Sequence, residues 1–239
     1  MKYKYRVQVT NHDVDYSGNI KPSIIMRYMQ EAGAKQLDSI HPNASEMRTE
    51  RGYAFILSRA NMSIYAPIHT YDELEIETWP CEGKGAVFTR CATVRRNSKL
   101  VAEMITRWAL VDINTRRLIR HSEFVLPLET HEPIELENLR PTIPKDAPVS
   151  LVGERTVTYS QTDINRHMNN TCYADMFCDF LDMDKQMVVK FQISYINEAP
   201  MGETLKVYKQ QDTSDCYRMR TVREDGSINA EVEITLDKI

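Results

Sequence analysis

Apolar residues recur along this chain with two different periods, and the period changes in the same order twice. Between Pro22 and Ile40 they fall at helical spacing, and between Asn170 and Met183 the residues Tyr173, Phe177, Phe180 and Leu181 do so again. After each stretch the period drops to two. Ile56, Ala60, Met62 and Ile64 alternate with Arg59, Asn61 and Ser63, and Leu74 and Ile76 alternate with Glu73, Glu75 and Glu77. The later half repeats this with Val189, Phe191, Ile193 and Tyr195, then with Ile228, Ala230, Val232, Ile234 and Leu236 set against Asn229, Glu231, Glu233 and Thr235. Such alternation predicts half-buried antiparallel strands, joined by hairpins at RRNSK (95 to 99) and REDGS (223 to 227). Each half therefore reads as one helix followed by about four strands, an α+β unit in which a curved sheet wraps a long helix. Two such units are expected to join their sheets edge to edge.

Prolines mark the division. Five of the ten, at 127, 133, 141, 144 and 148, fall between residues 127 and 148, where their fixed φ and missing amide favour an extended connector. The reading is an N-terminal unit at 1–130, a Pro-rich linker at 131–149 and a C-terminal unit at 150–239. A faint repeat relates the two units. DVDYSGNI (13 to 20) has the layout of QTDINRHM (161 to 168), placing Asp15 over Asp163 and Asn19 over His167 at a separation of 148 residues. NMSIYAP (61 to 67) matches QISYINE (192 to 198) at 131, and VAEMITRW (101 to 108) matches NAEVEITL (229 to 236) at 128. The falling separation means that the first half carries extra residues, most of them around 41 to 57.

Composition narrows the class without naming a chemistry. Hydrophobic residues make up 42% and charged residues 27%, as in ordinary globular chains. No apolar run has the length to cross a bilayer, and MKYKYRVQV at the start is strand-like, so a cytoplasmic location is expected without membrane insertion. The five cysteines include no C-x-x-C pair, and the histidines no H-x-x-x-H or H-E-x-x-H spacing, so neither a disulfide framework nor a metal centre is indicated. A net charge of −4 argues against a general nucleic-acid binder. GKG (83 to 85) lacks the rest of a phosphate loop, and no G-x-S-x-G elbow is present.

The segment QTDINRHMNNTCYAD (161 to 175) is too polar for a core and too poor in Gly and Pro for a plain turn. Its Asp163, Asn165 and His167 at alternate positions, followed by Asn169 and Asn170, fit the D-x-N-x-H-x-x-N-N signature of a known family. ELEIETW (73 to 79) and RWALVDINTRRLIR (107 to 120) follow that family's first-half segments in order. On these residues the chain resembles the acyl-acyl carrier protein (ACP) thioesterases, tandem hotdog proteins, over nearly its whole length. The resemblance implies hydrolysis of the thioester between a fatty acyl chain and the phosphopantetheine arm of acyl carrier protein, with no organic cofactor and no metal. It also implies that Asp163, Asn165 and His167 act with a Glu near the start of a second-half strand, which matches Glu198 in SYINEAP. A Cys directly after this Glu, favoured as nucleophile in plant members, is replaced here by Ala199, so a thiol there is not general to the reaction.

Thioester hydrolysis needs an activated water or nucleophile, donors facing the oxyanion and an apolar slot for the tail. Glu198 with His167 is expected to polarise the water, Asn165 to position it or the thioester, and Asp163 to hold the local geometry, or alternatively to attack the carbonyl itself. Free amides where segment 163 to 170 enters its helix would favour the oxyanion. Because Asn19 and Pro67 stand at the places of His167 and Glu198, one active centre per chain is expected, and the first half is free to house the acyl chain near Ile25, Met29, Ile56 and Met62. Those residues are equally what any helix facing a sheet requires as core. Cys172 and Cys178 invite a Cys–His reading, but a Cys five residues after the His projects from a different helical face. Arg116, Arg117 and Arg120 are candidates for contact with the acidic carrier protein. Two alternatives stay open: an acyl-CoA thioesterase on the same scaffold, and a hotdog-derived protein that binds an acyl group without cleaving it. The chain is compatible with a monomer or a homodimer.

Overall fold

In a computed structural model of the chain, every residue is described except 138, 139, 145, 212–214 and 239, together with the side chain of Gln211. Strands β1 (Tyr3–Gln8), β2 (Tyr53–Ile64), β3 (Glu73–Pro80), β4 (Val87–Arg96), β5 (Lys99–Asp112) and the short β6 (Leu118–Ile119) precede the connector. β7 (Ser150–Thr156), β8 (Gln186–Tyr195), β9 (Thr204–Gln211), β10 (Cys216–Val222) and β11 (Ile228–Lys238) follow it. They form one antiparallel sheet in the order β1-β3-β4-β5-β2-β8-β11-β10-β9-β7, with β6 beside β5. The halves meet edge to edge as expected, through β2 and β8, where Arg59 lies opposite Ser194 and Ser63 opposite Lys190. Each half also begins with a strand, β1 or β7, ahead of its polar loop and helix.

Helix α1 (Pro22–Asp38) starts with Pro at its first position, where the missing amide costs nothing, and its buried face includes Ile25, Met26, Met29 and Ala32. It packs on β1, β3 and β4. The second-half helix α3 (Cys172–Cys178) has only seven residues, so the expectation of a long helix from Asn170 to Met183 is corrected. Its end is set by chemistry: Asp179, Asp182 and Asp184 crowd a C-terminus where negative charge is unfavourable, and Asp182 Oδ1 accepts the Asp184 amide in a turn. α1 and α3 touch through Ser23 Oγ, which donates to the half-buried Asp175 Oδ2 at 2.7 Å. A third helix, α2 (Ala44–Arg51), occupies the first-half insertion and was not anticipated as a helix.

Strand phase also differs from simple alternation at two places. A bulge between Leu57 and Arg59 shifts the β2 register, turning Leu57 inward at 2% exposure and Ile56 outward at 41%. The irregularity between Thr235 and Leu236 buries Val188 in place of Val189. The polar face at the seam is not left to solvent either. The connector runs across it: the Trp79 indole donates to Glu132 O, Asn61 Nδ2 to Glu137 O, and Arg220 to Ile143 O. Ile134 and Leu136 pack over Trp79, Cys81, Cys91 and Ile105. Three positions of the expected linker, 138, 139 and 145, lie outside the described residues.

Candidate active site

Two short segments lying side by side bring the sequence-predicted residues together. The Met168 amide donates to Ala199 O at 2.8 Å and the Met201 amide to Arg166 O at 3.1 Å, so 166–168 and 199–201 run antiparallel as a minimal ladder. That ladder sets His167 beside the strand exit carrying Glu198, and His167 Nδ1 lies 3.3 Å from Glu198 Oε2. The imidazole is partly buried, whereas the carboxylate is 61% exposed. Asp163 closes the loop. Its Oδ1 accepts the Asn165 amide at 2.8 Å and its Oδ2 the Asn165 side-chain Nδ2 at 3.3 Å, while its own amide donates to His167 O at 3.0 Å. Asp163, Asn165, His167 and Glu198 are thus one constellation.

The support beneath it was not legible as function. The partly buried Tyr195 donates its hydroxyl to Asn170 O at 2.8 Å and meets Tyr173 edge to face, and loss of solvent around the phenol raises its pKa well above the ordinary value. Asn229, fully buried, accepts the amides of Ile196 and Asn197 on its carbonyl and donates from Nδ2 to Tyr173 Oη at 3.0 Å and to Asn197 O at 2.5 Å. It therefore holds the turn that presents Glu198. No sequence signal marks it, since alternation sets Asn229 with Glu231 and Glu233 on the polar face of its strand.

The expected helix-end oxyanion site changes form. The amides of Met168, Asn169, Thr171 and Cys172 are all spent on Ala199 O, Gln161 O, Asn169 Oδ1 and Asn169 O. Cys172 and Cys178 pack against the core, and burial raises the pKa of both thiols, which removes the thiolate a Cys–His mechanism would need.

The first half reproduces the loop without the chemistry. Asp15 Oδ1 accepts the Ser17 amide at 2.8 Å, the Asp15 amide donates to Asn19 O at 2.8 Å, and the Ile20 amide donates to Ile68 O at 2.8 Å. Each bond is the counterpart of one around Asp163, His167 and Met168, and Gly18 (φ +79°) holds the left-handed position that Arg166 (φ +63°) holds in the second half. Asn19 and Pro67 stand where the acid–base pair would be.

A cavity of about 1130 Å³ opens under α1 and α2 in the first half, large for a small-molecule pocket. Met29, Met47, Phe55, Phe88, Met104 and Trp108 give it apolar walls, and Asn165, Asn169 and Thr171 of the second half reach it at one end. Of the four pocket candidates only Met29 lines it; Ile25 and Met62 are 1% exposed core, and Ile56 faces out because of the bulge. Arg116 and Arg117 on the β5–β6 turn and Arg120 just after β6 lie outside it, Arg117 paired with Glu123 at 2.6 Å, but the adjoining His121 and Ser122 are part of its wall. Among the described residues no three His, Cys, Asp or Glu side chains converge as metal ligands.

Residues 1–126 match the family model described as the acyl-ACP thioesterase N-terminal domain, and residues 145–238 match the acyl-ACP thioesterase C-terminal domain. The fold is similar to that of an acyl-ACP thioesterase from Bacteroides thetaiotaomicron, with a TM-score of 0.90 and 17% identity over 99% of this chain and 98% of that one. It is also similar to a 12:0-ACP thioesterase from Umbellularia californica, at TM-score 0.81 and 16% identity over 100% and 98%. A search of curated protein sequences finds no significant match.

Proposed function

Because this chain belongs to the acyl-ACP thioesterases, and so hydrolyses the thioester joining a fatty acyl group to acyl carrier protein, we propose that Glu198 and His167 together activate the attacking water. The observation that carries this is the 3.3 Å approach of His167 Nδ1 to Glu198 Oε2 beside a loop whose Asn165 lines the cavity. A carboxylate at that nitrogen fixes the ring tautomer and stabilises the imidazolium formed when the water loses its proton. The proton then passes to the departing phosphopantetheine thiolate as the tetrahedral intermediate collapses. Asp163 acts as a positioning residue, since both its oxygens are engaged by Asn165. That engagement favours the water route over attack by Asp163. Asn165 aligns the water or the thioester carbonyl.

The acyl tail occupies the cavity under α1 and α2. The reading divides the chain into an N-terminal unit that holds the tail, the connector, and a C-terminal unit that performs the hydrolysis. Arg116, Arg117 and Arg120 flank the cavity wall at His121 and are placed to meet the acidic carrier protein, in a complex whose strength falls with salt. Hydrolysis assays with matched carrier-protein and CoA thioesters, on the wild type and on Glu198→Gln and His167→Ala, test this reading. Both variants are expected to lose about 10²- to 10⁴-fold in kcat. Undiminished turnover in Glu198→Gln removes the carboxylate from the reaction, and equal rates on the CoA thioesters remove carrier-protein selectivity.

A further inference from the structure

The cavity wall holds a cation whose hydrogen-bond partners are all neutral side chains. Arg90, on β4, sends its side chain across α1, where Nη1 donates to Gln36 Oε1 at 2.6 Å and to Thr78 Oγ1 at 3.2 Å. Both acceptors are neutral, and among the described residues Arg90 forms no ion pair. Gly33 makes the crossing possible: a Cβ there would meet Arg90 Cδ at 3.1 Å, so this glycine sits inside a helix despite its poor helix propensity. Withdrawing a guanidinium from water without a carboxylate is costly. Burial accordingly lowers the Arg90 pKa, to about 10.

The scaffold does not require that cation. Arg90 lies opposite Thr106 in the β4–β5 ladder as Tyr217 lies opposite Ile234 in the β10–β11 ladder, so the internal repeat carries a tyrosine at the equivalent place. Two further polar atoms in the same cavity wall, Gln30 Nε2 and His121 Nε2, are buried without a partner. An apolar tail alone would leave Gln30 Nε2 and His121 Nε2 without a partner and the Arg90 cation with neutral partners only.

We propose that Arg90 determines substrate specificity at the far end of the acyl chain, by receiving an oxygen acceptor, a carboxylate or a hydroxyl, carried near the tail. A guanidinium fork suits a carboxylate bidentately and a hydroxyl through one bond. Its depth sets the chain length. Arg27 Nε reaches Thr171 Oγ1, at 3.4 Å, where the cavity meets the active-site loop, and Gln36, the partner of Arg90, lies nine residues further along α1. That is roughly 13 Å of helix. At roughly 1.2 Å per bond of extended chain, it corresponds to about ten carbons. The inference rests on the cavity being the acyl site.

The test measures kcat/KM of the whole protein on carrier-protein thioesters of decanoate, 10-hydroxydecanoate and decanedioate, with octanoate and hexadecanoate to define the length profile. Wild type is expected to favour one of the two polar-ended chains over decanoate by about tenfold or more, the value of a charge-assisted bond. Preference for the diacid identifies the charged acceptor, and preference for the hydroxy acid the neutral one. In Arg90→Met that ratio collapses to near one, with the change in KM, and Arg90→Lys restores part of it for the diacid only. A wild-type ratio near one overturns the inference without any variant, as does a ratio that Arg90→Met leaves intact. Ala54→Phe, which adds bulk to the cavity wall, separates the two readings. If it shifts the length profile while Arg90→Met changes no ratio, the role of Arg90 fails and the cavity assignment stands. If neither variant alters any ratio or the length profile, both fail.

Discussion

At the scale of the residue, His121 shows how far environment governs chemistry. Its ring stacks on Phe88 at 3.8 Å between centroids, and a Cβ at position 83 would lie 1.5 Å from Nε2, so the ring fills space that only Gly83 leaves open. Burial holds its pKa below the ordinary 6.5. The unfolded chain therefore binds more protons between that lowered value and 6.5, and the contribution of His121 to stability is complete above 6.5 and lost as pH falls through this window. Denaturant midpoints taken near about pH 5 and about pH 7.5 should differ less in His121→Gln than in the wild type. Glu198 presents the opposite case. Exposed as it is, its contact with His167 adds little to stability. The Glu198→Gln protein should keep the wild-type midpoint while losing turnover, and a large fall in midpoint would identify the pair as structural.

Among elements, α2 was readable and went unread. Asn43 caps it with Oδ1 on the Glu46 amide, Glu46 returns the bond to the Asn43 amide, and Gly52 ends it at φ +68°. Asn, Glu three places later and a closing Gly are ordinary helix signals, obscured by a polar segment with little apolar periodicity. The helix matters because, together with α1, it roofs the cavity. The Tyr195–Tyr173–Asn229 cluster makes the complementary point, since its value lies in what it supports. Asn229→Ala leaves Tyr173 Oη, Thr221 Oγ1 and Asn197 O short of a partner in a buried setting. The expected loss is about 3 kcal/mol. Its readout is a lower urea midpoint, accompanied by a fall in kcat at temperatures where the variant is still folded, because the turn bearing Glu198 loosens.

For the whole molecule the decisive feature is the β2–β8 seam, which makes one sheet of two halves and covers the edge strand each would otherwise expose. The connector reinforces it from outside. Arg220 pairs with Glu231 at 2.5 Å, and both hold the Ile143 backbone, so a charged clasp on the second half grips the strap. Glu231→Ala leaves the Arg220 cation without its partner under the strap and should cost about 3–5 kcal/mol in a urea titration. A loss below about 1 kcal/mol would mean that the strap is held by its other contacts, those of Ile134, Leu136, Glu132 and Glu137.

Periodicity and the repeat were sufficient for the α+β class and the edge-to-edge pairing, because these depend on local spacing, and the D-x-N-x-H signature, through the family resemblance, named Asp163, Asn165, His167 and Glu198 as candidates. Alternation misplaced Ile56 and Val189 because a bulge inverts strand phase without leaving a trace in composition. The polar seam residues Asn61 and Glu231 read as solvent-facing, and a connector distant in sequence covers them through Glu137 and Ile143. Where the cavity lies, that Arg90 enters it, and that His167 meets Glu198 beside the loop whose Asn165 lines it were decided by tertiary structure alone. Each depends on which surfaces are brought within a few ångströms, a property of packing and not of any single segment.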